Sequence, residues 1–146
     1  MMVSDPIAVA ADHGGFELKN VLIADLKAAG IPVVDLGTMS SESVDYPDYA
    51  NALAAALASG KASRGVLLCG TGIGMSMAAN RHKGIRAALC RDVTEARLAR
   101  QHNDANVLCL GGRTTGPEVA RDCLRTFLTT EFEGGGRHTR RIAKFS

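Results

Sequence analysis

A chain of 146 residues, 46% hydrophobic and 22% charged, is long enough to bury one sizeable core and has the balance of an ordinary globular domain. A formal charge of only +2, an aromatic content of 4% and no tryptophan exclude a basic, base-stacking surface, so no nucleic-acid partner is expected. Met1–Ala11 has neither the charged start nor the apolar stretch of a signal peptide, and no apolar run approaches the ~20 residues that span a bilayer, so no membrane partner and a cytoplasmic location are expected.

The first β-type run is Ile7–Ala11, and Asp12-His13-Gly14-Gly15 follow it. A carboxylate beside an imidazole over a glycine turn suits hydroxyl binding and proton exchange; equally, Asp12 could cap the next helix and leave His13 exposed. That helix shows a 3.6-residue period with Leu18, Val21, Leu22, Leu26 and Ala29 on one face and Gly30 as its left-handed stop. A second strand, Pro32–Leu36, precedes a helix with Tyr49, Ala52, Leu53, Ala56 and Leu57 on its apolar face, stopped at Gly60.

The third strand, Arg64–Cys69, runs into Gly70-Thr71-Gly72-Ile73-Gly74 and a helical stretch, Met75–Asn80. Three alternate glycines let backbone N–H groups turn toward a phosphate, a carboxylate or a developing enediolate. A dinucleotide fingerprint would be GxGxxG after the first strand, whereas this is GxGxG after the third; only Asp92, about twenty residues on, matches the acid it asks for. Cys69 is either a small buried hydrophobe or a base. As a base it needs its thiol lowered from about 8.5 to about 7, roughly 2 kcal/mol of stabilisation, which a helix N-terminus supplies only in a favourable geometry.

Ile85–Cys90 is the fourth strand, and Asp92 and Thr94 are candidate caps of a helix reaching about His102. His102 is placed for acid–base work or as a favourable charge at a helix end, and Asn103 for closing that end. The fifth strand, Asn106–Leu110, leads to Gly111-Gly112-Arg113, then a helix with Ala120, Cys123, Leu124, Phe127 and Leu128 aligned. Gly134–Gly136 then separate a basic tail. If Arg137–Lys144 is helical, Arg137 and Arg141 lie one turn apart as a phosphate clamp; otherwise the tail is a solvated terminus.

Near-continuous apolar strands alternating with helices imply an α/β fold: a three-layer, Rossmann-like, doubly wound domain over 1–146 with a five-stranded parallel sheet. Ligands of such sheets sit beyond the C-terminal strand ends. Cys69, Cys90, Cys109 and Cys123 show no CxxC spacing and read as reduced, buried thiols; histidines and cysteines are nowhere at ligand spacing, so no zinc site is expected.

In order along the chain, Asp12-His13-Gly14-Gly15-Phe16-Glu17-Leu18-Lys19, Asp45-Tyr46-Pro47-Asp48-Tyr49-Ala50, Cys69–Gly74, Arg100–Asn106 and Gly135-Gly136-Arg137-His138 resemble the ribose-5-phosphate isomerase B family, which is grouped with galactose-6-phosphate isomerase subunits. The resemblance implies an aldose–ketose isomerase of a small sugar phosphate, without metal or cofactor. It also implies a site at a homodimer interface, often paired into a homotetramer, with the tail from about residue 134 docking on the partner. It makes Cys69 the enolising base, since Met75-Ser76-Met77 lacks the glutamate used by another branch. His102 opens the sugar ring, and Thr71 with the loop N–H groups steadies the enediolate. Asp12, His13, Tyr46, Gly70, Thr71, Gly72, Ile73, Gly74 and the partner's Asn103 contact the sugar, with Asp12 ordering its hydroxyls or carrying a proton. Arg113, Arg137, His138 and Arg141 hold the phosphate. Two departures stand out: three glycines precede Arg137 where the family pattern has two, and the chain stops at Ser146, short for the family, so the last helix is expected to contribute less to the dimer. The rival readings are an isomerase of allose 6-phosphate, galactose 6-phosphate or a tetrose phosphate, and a non-catalytic sugar-phosphate- or nucleotide-binding module.

Overall fold

A computed structural model describes residues 5–146; Met1–Ser4, the start of the segment in which no leader is expected, lie outside it. Five parallel strands, β1 (Ile7–Ala11), β2 (Val33–Asp35), β3 (Arg64–Cys69), β4 (Ala87–Leu89) and β5 (Val107–Gly111), lie in the order β2-β1-β3-β5-β4. The helices are α1 (Phe16–Ala28), α2 (Tyr46–Ala58), α3 (Ile73–Ala79), α4 (Val93–Asn103), α5 (Pro117–Thr129) and α6 (Gly136–Ala143). None of them is long and apolar enough to cross a membrane, among the described residues.

The alternation of side chains along each central strand builds the three layers. Ile7, Val9 and Ala11 of β1, with Val66, Leu68, Leu108 and Leu110, face α1, α4 and α5. Ala8, Ala10, Leu67, Cys69, Val107 and Cys109 face α2 and α3. Strands β1, β3 and β5 are buried along their whole length, as their unbroken apolar runs predict.

The edge strands are shorter than expected. Pro32–Leu36 contracts to Val33–Asp35, and Ile85–Cys90 to Ala87–Leu89, because each edge strand pairs on one side only. Pro32 has no N–H to give and contributes its carbonyl to Ile7 N–H at 2.9 Å; Ile85 N–H turns back to His82 O.

Two helix faces are rotated from their expected positions. In α1 the buried residues are Leu18, Lys19, Leu22, Ile23 and Leu26, with Val21 half-buried and Ala29 exposed. Lys19, 0% exposed, belongs there because its ammonium lies 2.9 Å from Asp35 Oδ1 and 5.6 Å from the Phe16 ring centre. Asp35 Oδ1 also accepts Gly37 N–H, so this pair fastens α1 to the end of β2. In α2, Ala50, Leu53, Ala54 and Ala56 are buried, while Tyr49, Ala52 and Leu57 are half-buried. The α5 face is as predicted, and Gly30 and Gly60 take positive φ after α1 and α2.

Removing one member of a buried pair costs about 3–5 kcal/mol. Because Asp35 keeps contact with water, Lys19→Ala is expected at the low end, about 3 kcal/mol in urea unfolding. A loss below about 1 kcal/mol would show the pair to be incidental.

At the other end of the domain, Arg64 and Arg100 are buried against Phe127, with guanidinium carbons 5.7 and 5.8 Å from its ring centre. Arg64 donates to the carbonyls of Phe127 and Leu128, and Arg100 to those of Thr130 and Ala105. The exit of α5, and hence the path into α6, is held by these bonds.

Candidate active site

The chain leaves β1 toward β2 on one side and returns to β3 on the other, which opens a crevice beyond the C-terminal ends of β1 and β3. Three glycine loops meet there. A methyl on Gly14 would lie 2.8 Å from Gly70 N, one on Gly112 would strike Gly14 O, and one on Gly111 would strike Thr71. Gly112 N–H donates to Cys69 O at 2.8 Å and Arg113 N–H to Gly70 O at 2.9 Å. Only glycine permits backbones to approach so closely.

Asp12 is buried, and its Oδ1 accepts the N–H groups of Gly14 at 2.8 Å and Gly15 at 3.2 Å. It braces the turn, while the N-cap of α1 is Gly15 without a side-chain bond. The half-buried His13 accepts Val44 N–H at Nδ1, 3.2 Å away. The neutral ring therefore carries its proton on Nε2, facing away from that loop.

Cys69 closes β3 at 5% exposure, and Gly72, at φ +79°, turns its N–H onto Sγ at 3.1 Å. Ile73 N–H donates to Thr71 Oγ1 at 3.2 Å. Two N–H groups that the glycine pattern offered to an anion are thus engaged within the loop, one of them on the sulfur itself. The helix after it begins at Ile73 and is only seven residues long. Tyr46 stacks against Gly74, where a methyl would lie 2.6 Å from the ring, and the Arg113 side chain lies over Gly70, with Nη1 3.2 Å from where a methyl would stand. Asp12, His13, Tyr46, Cys69–Gly74 and Arg113 therefore share one ledge.

The other thiols are poor rivals to Cys69. Burial is the main cause that pushes Cys90 up to about 12 and Cys123 up to about 11, and it carries Cys109 higher still. All four are free. Brief iodoacetamide treatment near pH 8 is expected to label Cys69 first, with the other three reacting only after unfolding, as read by peptide mass spectrometry. Faster labelling of Cys90 or Cys123 would contradict this ordering.

The remaining expected site residues lie elsewhere. Helix α4 runs from the end of β4 back to the start of β5, so His102 and Asn103 sit at the opposite edge of the sheet. Cys69 pairs in register with Gly111 and Gly65 with Val107; the intervening rise is about 13 Å. At that far edge His102 and His138 stack with ring centres 4.4 Å apart and 10° between planes. Burial first, then His102 and Arg137, hold the His138 imidazole below its ordinary value. Arg137 and Arg141 are exposed one turn apart on α6, in line with the expected helical tail, and neither is paired with a carboxylate among the described residues. Asn103 is exposed; the left-handed residue that closes α4 is Asp104, φ +46°, held by Arg100 at 2.8 Å.

Of two further expectations, the Asp92 cap holds and the dispersal of the histidines does not. Asp92, the acid a dinucleotide site would need, caps α4 by accepting Glu95 N–H at 2.8 Å. The histidines, dispersed in sequence, do converge: His102, Glu133 and His138 place one ligand atom each within 4.8 Å of one another. Glu133 carried no signal in the sequence, because its place depends on the path from α5 to α6, where its N–H bonds Gln101 O. A cavity of about 470 Å³ lies between α1 and α5, and none of the candidate residues lines it.

Comparison with known proteins shows what the sequence and fold are similar to. The profile of the family described as Ribose/Galactose Isomerase matches residues 7–145. Ribose-5-phosphate isomerase B of Escherichia coli is 48% identical, over 93% of this chain and 91% of that protein. D-erythrulose-4-phosphate isomerase of Pectobacterium atrosepticum is 47% identical, over 89% and 86%. The crystal structure of a ribose 5-phosphate isomerase from Thermotoga maritima superposes with a TM-score of 0.94 at 55% identity, covering 97% of each chain.

Proposed function

The chain belongs to the ribose/galactose isomerase family, and on that premise we propose that it is a cytoplasmic aldose–ketose isomerase interconverting ribose 5-phosphate and ribulose 5-phosphate. The observation that carries the reading is Cys69, with Gly72 N–H on its sulfur, set among Asp12, His13, Thr71 and Arg113 on one ledge.

The Cys69 thiolate removes the proton from the carbon beside the carbonyl of the open-chain sugar and returns it to the neighbouring carbon. Thr71 and the loop backbone steady the enediolate oxygen, and Asp12 and His13 order the hydroxyls along with Tyr46. His102 exchanges a proton with the ring oxygen to open the furanose. Arg113, Arg137, His138 and Arg141 hold the phosphate, so that binding at the non-reacting end orients the carbon that reacts.

Within one chain the ledge and the His102 cluster stand at opposite edges of the sheet, which supports a site completed by a second copy: His102, Asn103, Arg137, His138 and Arg141 of one protomer facing Cys69 of the other. The 1–146 domain then works as a homodimer or higher even assembly, with the α6 tail docking across. No metal or cofactor enters these steps.

The deciding assay follows ribulose 5-phosphate formation from ribose 5-phosphate beside erythrose, allose and galactose phosphates. The pentose phosphate is expected to show the highest kcat/KM. Preference for the four-carbon pair would instead favour the reading that the D-erythrulose-4-phosphate isomerase relative supports. Binding of every sugar phosphate with turnover of none would leave a binding module.

A further inference from the structure

His102 ends α4, Glu133 lies in the α5–α6 connection and His138 opens α6, yet their ligand atoms converge within 4.8 Å. Among the described residues this is the one group of three or more His, Cys, Asp and Glu side chains so placed. Among the described residues, no hydrogen bond from a protein group occupies either imidazole or the Glu133 carboxylate there. Glu133 is nevertheless fixed, since its backbone N–H bonds Gln101 O, one residue from His102, at 3.0 Å.

Two imidazoles and one carboxylate are the donor set of three-ligand zinc sites that keep a fourth position open. With bonds of 2.0–2.2 Å, such ligand atoms lie about 3.3 Å apart. The stacked rings are half-exposed, and metal binding requires them to turn about Cβ–Cγ out of the stack so that both ring lone pairs converge. Nitrogen-rich ligation selects zinc, cobalt and nickel over magnesium and calcium. Arg137 and Arg141 beside the site oppose a bare cation and favour an anion, such as phosphate, as its fourth ligand.

We propose that His102, Glu133 and His138 form a binding site for a zinc-class divalent cation, and that its occupation suppresses isomerisation by taking the His102 imidazole out of proton transfer. The binding stands on the geometry alone; the suppression rests on the isomerase reading above.

Cobalt is the probe, titrated into the full-length protein and followed in the visible spectrum. Ligand-field bands without a thiolate-to-cobalt charge-transfer band are expected. Glu133→Gln is expected to weaken cobalt binding about tenfold or more, and His138→Ala to remove the bands. In the activity arm, zinc but not magnesium inhibits, a chelator restores turnover, and Glu133→Gln raises the half-inhibiting zinc concentration by about the same factor with metal-free turnover unchanged. A charge-transfer band, which would place the metal on Cys69, overturns the site. So does unchanged cobalt affinity in Glu133→Gln, or no band at millimolar cobalt. Equal zinc sensitivity in the variant overturns the suppression. Should the protein turn over no sugar phosphate, the cobalt spectra still decide the site.

Discussion

Cys69→Ala is expected to lower kcat for the pentose phosphate by about 10²–10⁴-fold, the usual contribution of a positioned proton-transfer group, with KM changed only severalfold. In the proposed mechanism the base acts on the reacting carbon, whereas affinity comes from the phosphate end. No other thiol of the protein can take over. Cys109 faces the same layer, but burial holds its proton far above neutrality. The fold should survive, since among the described residues the sulfur's one hydrogen bond is from Gly72 N–H, and its loss leaves a cavity the size of a single atom. A coupled assay, with thermal unfolding as the control, measures both. Turnover within a few-fold of the parent would remove Cys69 from the mechanism. Loss of hydrogen exchange between solvent and the sugar carbon would separate a missing base from a missing ring opener.

The second large effect appears when two inactive variants are mixed. His102→Asn should be nearly inactive on the cyclic sugar, as Cys69→Ala is on any form. If each site takes Cys69 from one protomer and His102 from the other, a mixed dimer of the two variants contains one intact site and one site lacking both groups. Random mixing makes half the dimers mixed, so about one quarter of parental activity should return after co-expression or refolding together. The basis is the topology: a helix that runs antiparallel to the strands cannot deliver its last turn to their C-terminal ends. No recovery in mixtures proven to contain heterodimers would mean that each protomer holds a complete site.

Much of the fold was legible because the three central strands are unbroken apolar runs and three glycines mark helix ends or loops with little ambiguity. The edge strands were read too long, since apolar character continues past the last ladder bond. The α1 face was read one step off because Lys19 is held in the core by Asp35, sixteen residues further along, and no periodicity reveals that partner. The ledge around Cys69 followed from the rule that chemistry gathers after parallel strands. What stayed hidden was local hydrogen bonding. Gly72 N–H points at the sulfur, Val44 N–H fixes the His13 tautomer, and Glu133 joins a histidine pair across the α5–α6 connection. Each depends on a loop path, which composition does not encode.

The interlocked glycines at positions 14, 70, 111 and 112 also bear on how a substrate range can change over evolution. A side chain at Gly14, Gly111 or Gly112 collides with a neighbouring loop, whereas one at Gly70 meets only the Arg113 side chain at 3.2 Å, so three of the four positions leave the ledge no room for stepwise drift. Gly116, by contrast, has φ −68° and nothing within 4 Å of an added carbon. On the proposed reading, segment 38–45 is the neighbour of the ledge with room to adapt it to a shorter or longer sugar. That segment touches the ledge through Val44 and His13 and is otherwise largely open to solvent. A library confined to 38–45 should yield folded variants with altered chain-length preference, and one confined to Gly14, Gly111 and Gly112 should yield few folded proteins of any preference.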